Sequence, residues 1–353
     1  MKLFTVGPVE MYPETLKIEG TQLPYFRDDV FSEIMKRCGD LFLRSVNAPA
    51  DALFIPLTCS GTGGMDAAVQ NVLTKRDRVL VINGGSFGQR FYDICIRYDI
   101  PADSYEISLG EGFSFERLEE YSGKGYTALL VNACETSTGQ GFDLKRLGEF
   151  CKRNGMLFII DAVSAYLADP IDMREQNADV IITSSHKALA LSPGAVVIAL
   201  SEQAGRRVHE NKASYYFDFK DYIENQRRGQ TPFTPAIGIF IALVARLEDI
   251  MNDGMDKTVA LHERRALYFR KALKELPVEI PEYPLSNCCT PVLFPDENAD
   301  HIYIKLKEEY GLVLTPSGGV LKRKMLRVGH LGNLKKDDFD HLIDCLKRII
   351  SSK

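Results

Sequence analysis

The sequence of 353 residues predicts an α/β protein, in which a mostly parallel sheet is covered by helices and a smaller C-terminal α+β domain follows. Short apolar, β-branched segments alternate with amphipathic helical patterns through the first two thirds of the chain. These segments are apolar throughout, as is typical of strands that a parallel sheet buries on both faces. After about residue 235 the pattern changes to long amphipathic helices with short strands between them.

Five apolar segments predict the strands of the larger sheet, at 78–83, 126–132, 156–161, 178–185 and 195–200. Helical patterns precede or separate them at 64–74, 87–98 and 143–155. The last of these helices ends at Gly155, a residue typical of helix C-termini. Repeated strand–helix units of this kind predict a doubly wound parallel sheet with right-handed crossovers.

The C-terminal third predicts a different arrangement. Helices are predicted at 237–254, 256–276, 299–310 and 336–351, with short strands near 290–294 and 324–329 and a Gly/Pro loop at 315–320. We therefore expect a large domain with the N-terminal segment, residues 1–240, and a small domain, residues 241–353.

Composition excludes several classes of function. The formal net charge is −5, which gives no reason to expect a nucleic acid or an anionic membrane as a partner. We find no apolar run long enough to cross a membrane and no apolar core of a signal peptide, so we expect a cytoplasmic protein. The eight cysteines form no CxxC pair, which predicts small buried hydrophobic residues in a reducing compartment rather than ligands of a metal.

Polar residues follow four of the predicted strands. They lie at 83–90, at 134–139, at Asp161 and at 184–187, which ends in Lys187. In an open parallel sheet, ligands bind beyond the carboxyl ends of the strands, so we expect these residues to face one site.

A Ser/Thr/Gly-rich segment, TCSGTGG at 58–64, opens the first predicted helix. Backbone N–H groups and hydroxyls at a helix N-terminus are suited to binding phosphate, although the segment matches neither a Walker A sequence nor GxGxxG. Pyridoxal 5'-phosphate requires a lysine, a carboxylate for its pyridine nitrogen and a phosphate site. Lys187, Asp161 and this segment together predict that cofactor.

The motifs occur in the order found in a known family. They are FTVGP (4–8), TCSGTGGMDAAV (58–69), NGGSFGQRF (83–91), ETSTG (135–139), IIDAVSA (159–165), SSHKAL (184–189), PFTPAIG (232–238) and LRVGHLG (326–332). On these motifs, which extend over nearly the whole chain, the sequence resembles the class V aminotransferases. These are fold type I pyridoxal-phosphate enzymes that include alanine–glyoxylate, serine–pyruvate and 2-aminoethylphosphonate–pyruvate transaminases.

The resemblance implies roles for residues around the cofactor ring. Lys187 matches the lysine that forms a Schiff base with the cofactor and moves the proton between substrate and cofactor. Asp161 matches the carboxylate that pairs with the pyridine nitrogen, and Val163 would pack under the ring. Phe87 stands where many relatives have tryptophan and would stack on the ring. Ser137 matches a residue near the ring hydroxyl, although some relatives use this neighbourhood on the phosphate side.

The same resemblance implies a phosphate site that includes the neighbouring subunit of a homodimer. The residues that it assigns to the phosphate are Ser60, Gly61, Thr62, Ser184 and His186, with Thr234 reaching the site from the partner subunit. Thr231 stands where alanine–glyoxylate transaminases have a tyrosine, so its role is left open.

Three residues are expected to contact substrate. Arg327 matches the arginine that binds the substrate carboxylate through its planar guanidinium. Arg27 borders the entrance in this family and either binds a second anionic group or pairs with a neighbouring aspartate. Gly7 belongs to a loop whose backbone should face the substrate.

The resemblance therefore predicts transamination between a small amino donor, of the alanine, serine or 2-aminoethylphosphonate type, and a 2-oxo acid such as pyruvate or glyoxylate. The alternatives are a pyridoxal-phosphate lyase acting on a small amino acid and a non-catalytic relative. A cysteine desulfurase is disfavoured because the loop at 315–324 contains no cysteine.

Overall fold

The computed structural model describes residues 1–208 and 214–351. In this part of the chain the strands are β1 (Lys2–Phe4), β2 (Leu53–Leu57), β3 (Val79–Asn83), β4 (Ala102–Glu106), β5 (Ala128–Asn132), β6 (Cys134–Glu135), β7 (Gln140–Gly141), β8 (Leu157–Asp161), β9 (Val180–Ser184), β10 (Val196–Leu200), β11 (Cys289–Leu293), β12 (Leu312–Pro316) and β13 (Met325–Gly329).

The helices in the same ranges are α1 (Pro13–Glu19), α2 (Asp29–Ser45), α3 (Gly61–Val72), α4 (Ser86–Arg97), α5 (Phe115–Glu119), α6 (Leu144–Asn154), α7 (Glu202–Val208), α8 (Phe219–Gln226), α9 (Ile237–Asp253), α10 (Met255–Leu273), α11 (Ala299–Tyr310) and α12 (Lys336–Ser351). A 3-10 turn lies at Gly319–Leu321. Gly155 ends α6 in the left-handed conformation, as its position in the sequence predicted.

The larger sheet has the strand order β2-β10-β9-β8-β5-β3-β4. Strands β9, β8, β5, β3 and β4 are parallel to one another, so their carboxyl ends meet at one edge of the sheet. Alternate residues of β3 belong to different hydrophobic clusters, because both faces of the sheet are covered. The predicted α/β fold with a mostly parallel sheet is confirmed.

The direction of β10 differs from the prediction. This strand is antiparallel to both of its neighbours, β9 and β2. Residues 185–195 connect β9 to β10, and a parallel return would need a longer crossover, usually a helix. The connection therefore turns the chain back beside β9.

The smaller sheet has the order β1-β12-β13-β11. Strand β1 pairs in parallel with β12, with Lys2 opposite Leu312, so the N-terminal strand lies in the smaller sheet. The predicted loop at 315–320 begins inside β12. The division of the chain at residue 240 stays a prediction. Among the described helices, none combines the length and apolar character needed to cross a membrane.

Candidate active site

A cavity of about 200 Å³ lies where the carboxyl ends of β5, β8 and β9 meet the N-termini of α3 and α4. Its lining combines small hydroxyl residues, one carboxylate, one amine and one arginine. The lining residues are Ser60, Gly61, Thr62, Met65, Phe87, Arg90, Cys134, Thr136, Asp161, Val163, Ser164, His186 and Lys187. Residues that the sequence placed far apart are therefore brought to one edge of the sheet.

Lys187 lies three residues beyond the end of β9 and is almost fully buried. Its Nζ donates a hydrogen bond to the carbonyl oxygen of Val6, 2.5 Å away. Burial lowers the pKa of the Lys187 amine. A larger fraction of the amine is therefore neutral than in water, and the neutral amine is the nucleophilic form.

Gly7 follows the carbonyl that Lys187 contacts. Its φ is +116°, and a Cβ built on it would lie 2.5 Å from Cδ of Lys187. A side chain at this position would therefore collide with the lysine, so the glycine fixes how closely the N-terminal segment approaches Lys187.

Asp161 ends β8 directly opposite Asn132, which ends β5. The Asn132 amide donates to Asp161 Oδ2 across 2.5 Å, and the backbone N–H of Val163 donates to Oδ1 across 2.8 Å. Burial raises the pKa of Asp161 to about 6, because desolvation outweighs these two hydrogen bonds. The carboxylate is thus oriented and able to hold a cationic partner.

The N-terminus of α3 forms one wall of the cavity. The Ser60 side chain caps the helix by accepting from the N–H of Gly63. A Cβ on Gly61 would lie 3.0 Å from a methyl group of Val163, so a larger residue would crowd the wall. Unpaired N–H groups and the helix dipole make this terminus suitable for an anion such as a phosphate.

Phe87 and Arg90, both on α4, line the cavity together. The guanidinium of Arg90 lies 4.6 Å from the centre of the Phe87 ring and donates to Thr62 Oγ1 at 2.7 Å. These contacts join α4 to the N-terminus of α3, and they place a positive charge beside it.

Ser137, in the turn between β6 and β7, lies beside the N-terminus of α4 and not in the cavity wall. Its hydroxyl donates to the buried carboxylate of Glu135 and accepts from the N–H of Ser86. The other Glu135 oxygen accepts from the N–H groups of Phe87 and Gly88. Glu135 and Ser137 therefore fix the N-terminus of α4 and, with it, the position of Phe87.

The buried polar atoms that have no hydrogen-bond partner in the described residues include Asn132 Oδ1 at the end of β5, Ser184 Oγ at the end of β9, and His186 Nδ1 just beyond it. Burial and the nearby Lys187 lower the pKa of His186 to about 4, so its ring is neutral near pH 7. Because buried polar groups are nearly always paired, such atoms indicate a place for a polar ligand.

Arg327 lies on β13, with its guanidinium donating to the carbonyl oxygens of Thr136 at 3.0 Å and Pro316 at 2.8 Å. Its Nε is buried and has no partner among the described residues. Thr136 lines the cavity, so Arg327 lies just behind the wall and keeps one donor for another group.

Arg27, Thr231 and Thr234 lie outside the cavity wall as far as the described residues define it. The Arg27 guanidinium donates to the carbonyl oxygens of Thr231 and Pro232 and to the Gln230 side chain, and pairs with neither neighbouring aspartate. The hydroxyl of the buried Thr231 donates to the Phe233 carbonyl, whereas Thr234 is exposed in the single chain.

Sequence reasoning missed five lining residues, Met65, Arg90, Cys134, Thr136 and Ser164. Arg90 and Thr136 lie within predicted strand-end segments, and their position there was a usable signal. Asn132 and Glu135, which orient Asp161 and Phe87, were also missed because side-chain partners across strands are not visible in a sequence.

The residues present fit pyridoxal 5'-phosphate. A buried amine, a buried carboxylate and a helix N-terminus face one cavity. His186, whose Nδ1 is unpaired, lines the same cavity, and the unpaired Ser184 Oγ lies at the end of β9, three residues before Lys187. An aromatic ring and a branched aliphatic side chain in the same wall suit a planar heterocycle.

The fold and the cavity together have the architecture of an aminotransferase. The chain belongs to the class V aminotransferases, since that family's sequence pattern, Aminotransferase class-V, matches residues 28–308. Members of this family use pyridoxal phosphate and act on amino donors and 2-oxo acids.

Particular relatives are similar along most of the chain. An uncharacterised aminotransferase of Methanocaldococcus jannaschii is 30% identical over 340 residues, which cover 94% of this chain and 87% of the relative. An L-aspartate–glyoxylate aminotransferase of Paracoccus denitrificans is 28% identical, covering 94% and 86%. The crystal structure of an alanine–glyoxylate aminotransferase from Nostoc sp. superposes with a TM-score of 0.92 at 26% identity, covering 98% and 94%.

Proposed function

We propose that this aminotransferase binds pyridoxal 5'-phosphate covalently through Lys187 and transfers an amino group from a small donor to a 2-oxo acid such as pyruvate or glyoxylate. The observation that carries the proposal is the placement of the Lys187 amine and the Asp161 carboxylate in the wall of one cavity. Two of the three named relatives support the acceptor, because their names include glyoxylate as a substrate.

When bound, the cofactor supplies an electron sink for the negative charge that develops at the substrate Cα. Asp161 would hold the proton on the pyridine nitrogen, and Asn132 would hold Asp161. Lys187 would move the proton at the substrate Cα, a role that suits an amine whose pKa burial has lowered.

The phosphate would be held by the N-terminus of α3, at Ser60, Gly61 and Thr62, and by the two unpaired groups of Ser184 and His186. Phe87 and Val163 would contact the ring, while Ser137 would act through the position of α4. In this arrangement Arg90 contributes positive charge through its contact with Thr62.

Arg327 would bind the substrate carboxylate with its free Nε and by exchanging a carbonyl contact for the carboxylate. The Gly7 backbone would border the substrate beside Lys187. We assign Arg27 and Thr231 a structural role next to the site. The Arg27 guanidinium donates its hydrogen bonds to residues 230–232, the segment that leads to Thr234.

A homodimer would complete the site, with Thr234 reaching the phosphate of the partner subunit. Its exposure in the single chain and its position just before α9 support this arrangement. Light scattering should give a dimer at assay concentration, and a fully active monomer would refute it. Thr234→Ala should weaken cofactor binding without changing the oligomeric state.

The test of the proposed function is a donor screen on the wild-type and Lys187→Ala proteins. Single amino donors, including alanine, serine, aspartate and 2-aminoethylphosphonate, are mixed with the cofactor-loaded protein, and conversion to the pyridoxamine form is followed by absorbance. At least one donor should convert the wild-type protein and none the variant. Conversion of the variant at the wild-type rate would contradict the role of Lys187.

A further inference from the structure

Three cysteines meet beside the cavity, although they are far apart in the chain. Cys134 begins β6, and Cys288 and Cys289 lie at the start of β11, so the contact joins the two parts of the fold. All three are free and buried. Their sulfur atoms lie within 4.8 Å of one another, and the Sγ atoms of Cys134 and Cys288 are 3.0 Å apart.

We propose that Cys134, Cys288 and Cys289 form a binding site for one soft, thiol-preferring metal ion, such as Zn²⁺ or Cu⁺. Thiolates are the side chains that select these ions. Sulfur–zinc bonds of about 2.3 Å place the sulfurs of one site about 4 Å apart, a spacing that small side-chain shifts reach from the observed geometry. Cys134 is also in the cavity wall, so one thiol of the cluster borders the cavity.

The surrounding charges favour such a site. Three thiolates and a monovalent or divalent ion carry a net negative charge, which is costly to bury without cations nearby. Arg270 donates to the carbonyl oxygen of Cys289 at 3.0 Å, and the guanidinium of Arg327 lies within electrostatic range of the Cys289 thiol. The cluster therefore has the cations that a buried, negatively charged metal–thiolate group needs.

The spacing of the cysteines in the sequence could not indicate this site, because 154 residues separate Cys134 from Cys288. The inference is independent of the proposed reaction, since it concerns thiols that hold no assigned role in amino transfer.

The test measures how many metal ions bind to each chain of the cofactor-loaded protein. The protein is incubated under reducing, oxygen-free conditions with Zn²⁺, or in a separate arm with Cu⁺, then desalted and analysed by elemental mass spectrometry. We expect about one ion per chain, as for a single structural site, with a metal-dependent release of thiol protons. Cys134→Ser and Cys289→Ser should reduce the bound metal to near zero. Cys95→Ser, a buried cysteine of α4 away from the cluster, should retain it.

Two results would overturn the proposal. The first is equal metal retention in the Cys134→Ser, Cys289→Ser and Cys95→Ser proteins. The second is a wild-type protein that binds neither Zn²⁺ nor Cu⁺ under these reducing conditions. A second measurement uses the wild-type protein and therefore does not depend on whether the variants fold. Cd²⁺ bound by thiolates absorbs in the ultraviolet, and the absence of this absorption at saturating Cd²⁺ would refute the site.

Discussion

Asn132 donates a hydrogen bond to the carboxylate of Asp161 across 2.5 Å, and the two residues are register partners at the ends of β5 and β8. The backbone pairing of these two parallel strands thus places the Asn132 side-chain amide beside the buried carboxylate of Asp161. This bond lowers the pKa of Asp161 and partly offsets the effect of burial. Asn132 is therefore a positioning residue for Asp161.

Replacing Asn132 by Leu should raise the pKa of Asp161 further above about 6, because the stabilising donor is lost while burial remains. In the cofactor-free protein, affinity for pyridoxal phosphate should fall as the pH drops through the pKa of Asp161. We expect that fall to begin at higher pH in Asn132→Leu, with affinity roughly tenfold weaker near pH 7.

Asn83→Leu is the matched control, since Asn83 ends the neighbouring strand β3 and donates to Gln89 and Ser104 instead. Fluorescence titrations between pH 5 and 8 compare the two variants with the wild-type protein. A pH profile of Asn132→Leu that coincides with that of the wild type would exclude the positioning role.

The buried charge of Asp161 should make the cofactor-free protein less stable. The folded-state pKa of about 6 exceeds the usual value of about 3.9, so folding carries the full cost of burying the charge above pH 6 and none below about pH 4. Asp161→Asn cannot ionise, and the unpaired Asn132 Oδ1 can accept from the new amide. We expect the variant to be more stable by about 1 to 3 kcal/mol at pH 8.

Urea unfolding of the cofactor-free proteins at several pH values measures this difference. The advantage of Asp161→Asn should shrink steadily from pH 6 towards pH 4, whereas the exposed Asp51→Asn should give no such trend. If the extra stability of Asp161→Asn stays constant with pH, burial of the Asp161 charge is not its cause.

Gly7→Ala should displace Lys187. The new Cβ would lie 2.5 Å from Cδ of the lysine, and the φ of +116° is unfavourable for alanine. We expect kcat to fall by about a hundredfold, the usual cost of a misplacement near 1 Å. Gly254→Ala separates backbone strain from the collision with Lys187. Gly254 has a φ of +103°, so alanine is strained there too, but nothing lies within 4 Å of the added Cβ.

Steady-state rates and melting curves should be measured for both glycine variants. Both should lose stability through backbone strain, but only Gly7→Ala should lose activity. If Gly7→Ala keeps the wild-type kcat, close approach of the N-terminal segment is not needed to place Lys187.

Arg327→Lys should weaken substrate binding without affecting the cofactor. Lysine supplies a charge but not the planar guanidinium that binds a carboxylate in a defined orientation. The loss should be about 1.5 to 3 kcal/mol, or roughly a tenfold to hundredfold fall in kcat/KM. Arg323→Lys, at an exposed position of the same segment, is the control.

The two half-reactions of Arg327→Lys should be measured separately, with amino donor and with 2-oxo acid. Reduced efficiency in both means that one arginine binds both carboxylates. Unchanged efficiency in both half-reactions would remove Arg327 from the substrate site.

Much of the site could be predicted because strand ends are readable in the sequence. Lys187 and Asp161 follow continuous apolar runs, and parallel strands carry such residues to one edge. The strand direction of β10 was not readable, because an apolar run is the same in a parallel and an antiparallel strand. The edge strand β4 was missed because its sequence is mostly polar, and β2 was missed because Pro56 interrupts its apolar run.

The contacts made by long side chains also could not be predicted from the sequence. Arg27 was expected at the entrance or beside an aspartate, yet it binds three groups of the 230–232 segment. The partners of Arg90, Glu135 and Asn132 come from other elements, so only the folded chain reveals them. The cysteine cluster arises in the same way.

The central claim is that Lys187 binds the cofactor covalently, and borohydride reduction tests it most directly. Reduction of the yellow, cofactor-loaded protein fixes pyridoxal phosphate to the amine that holds it, and peptide mass spectrometry then locates the attached group. We predict that the label lies on Lys187 at about one per chain, in keeping with a single buried amine of lowered pKa in the cavity. A label on another lysine, with Lys187 unmodified, would contradict the account.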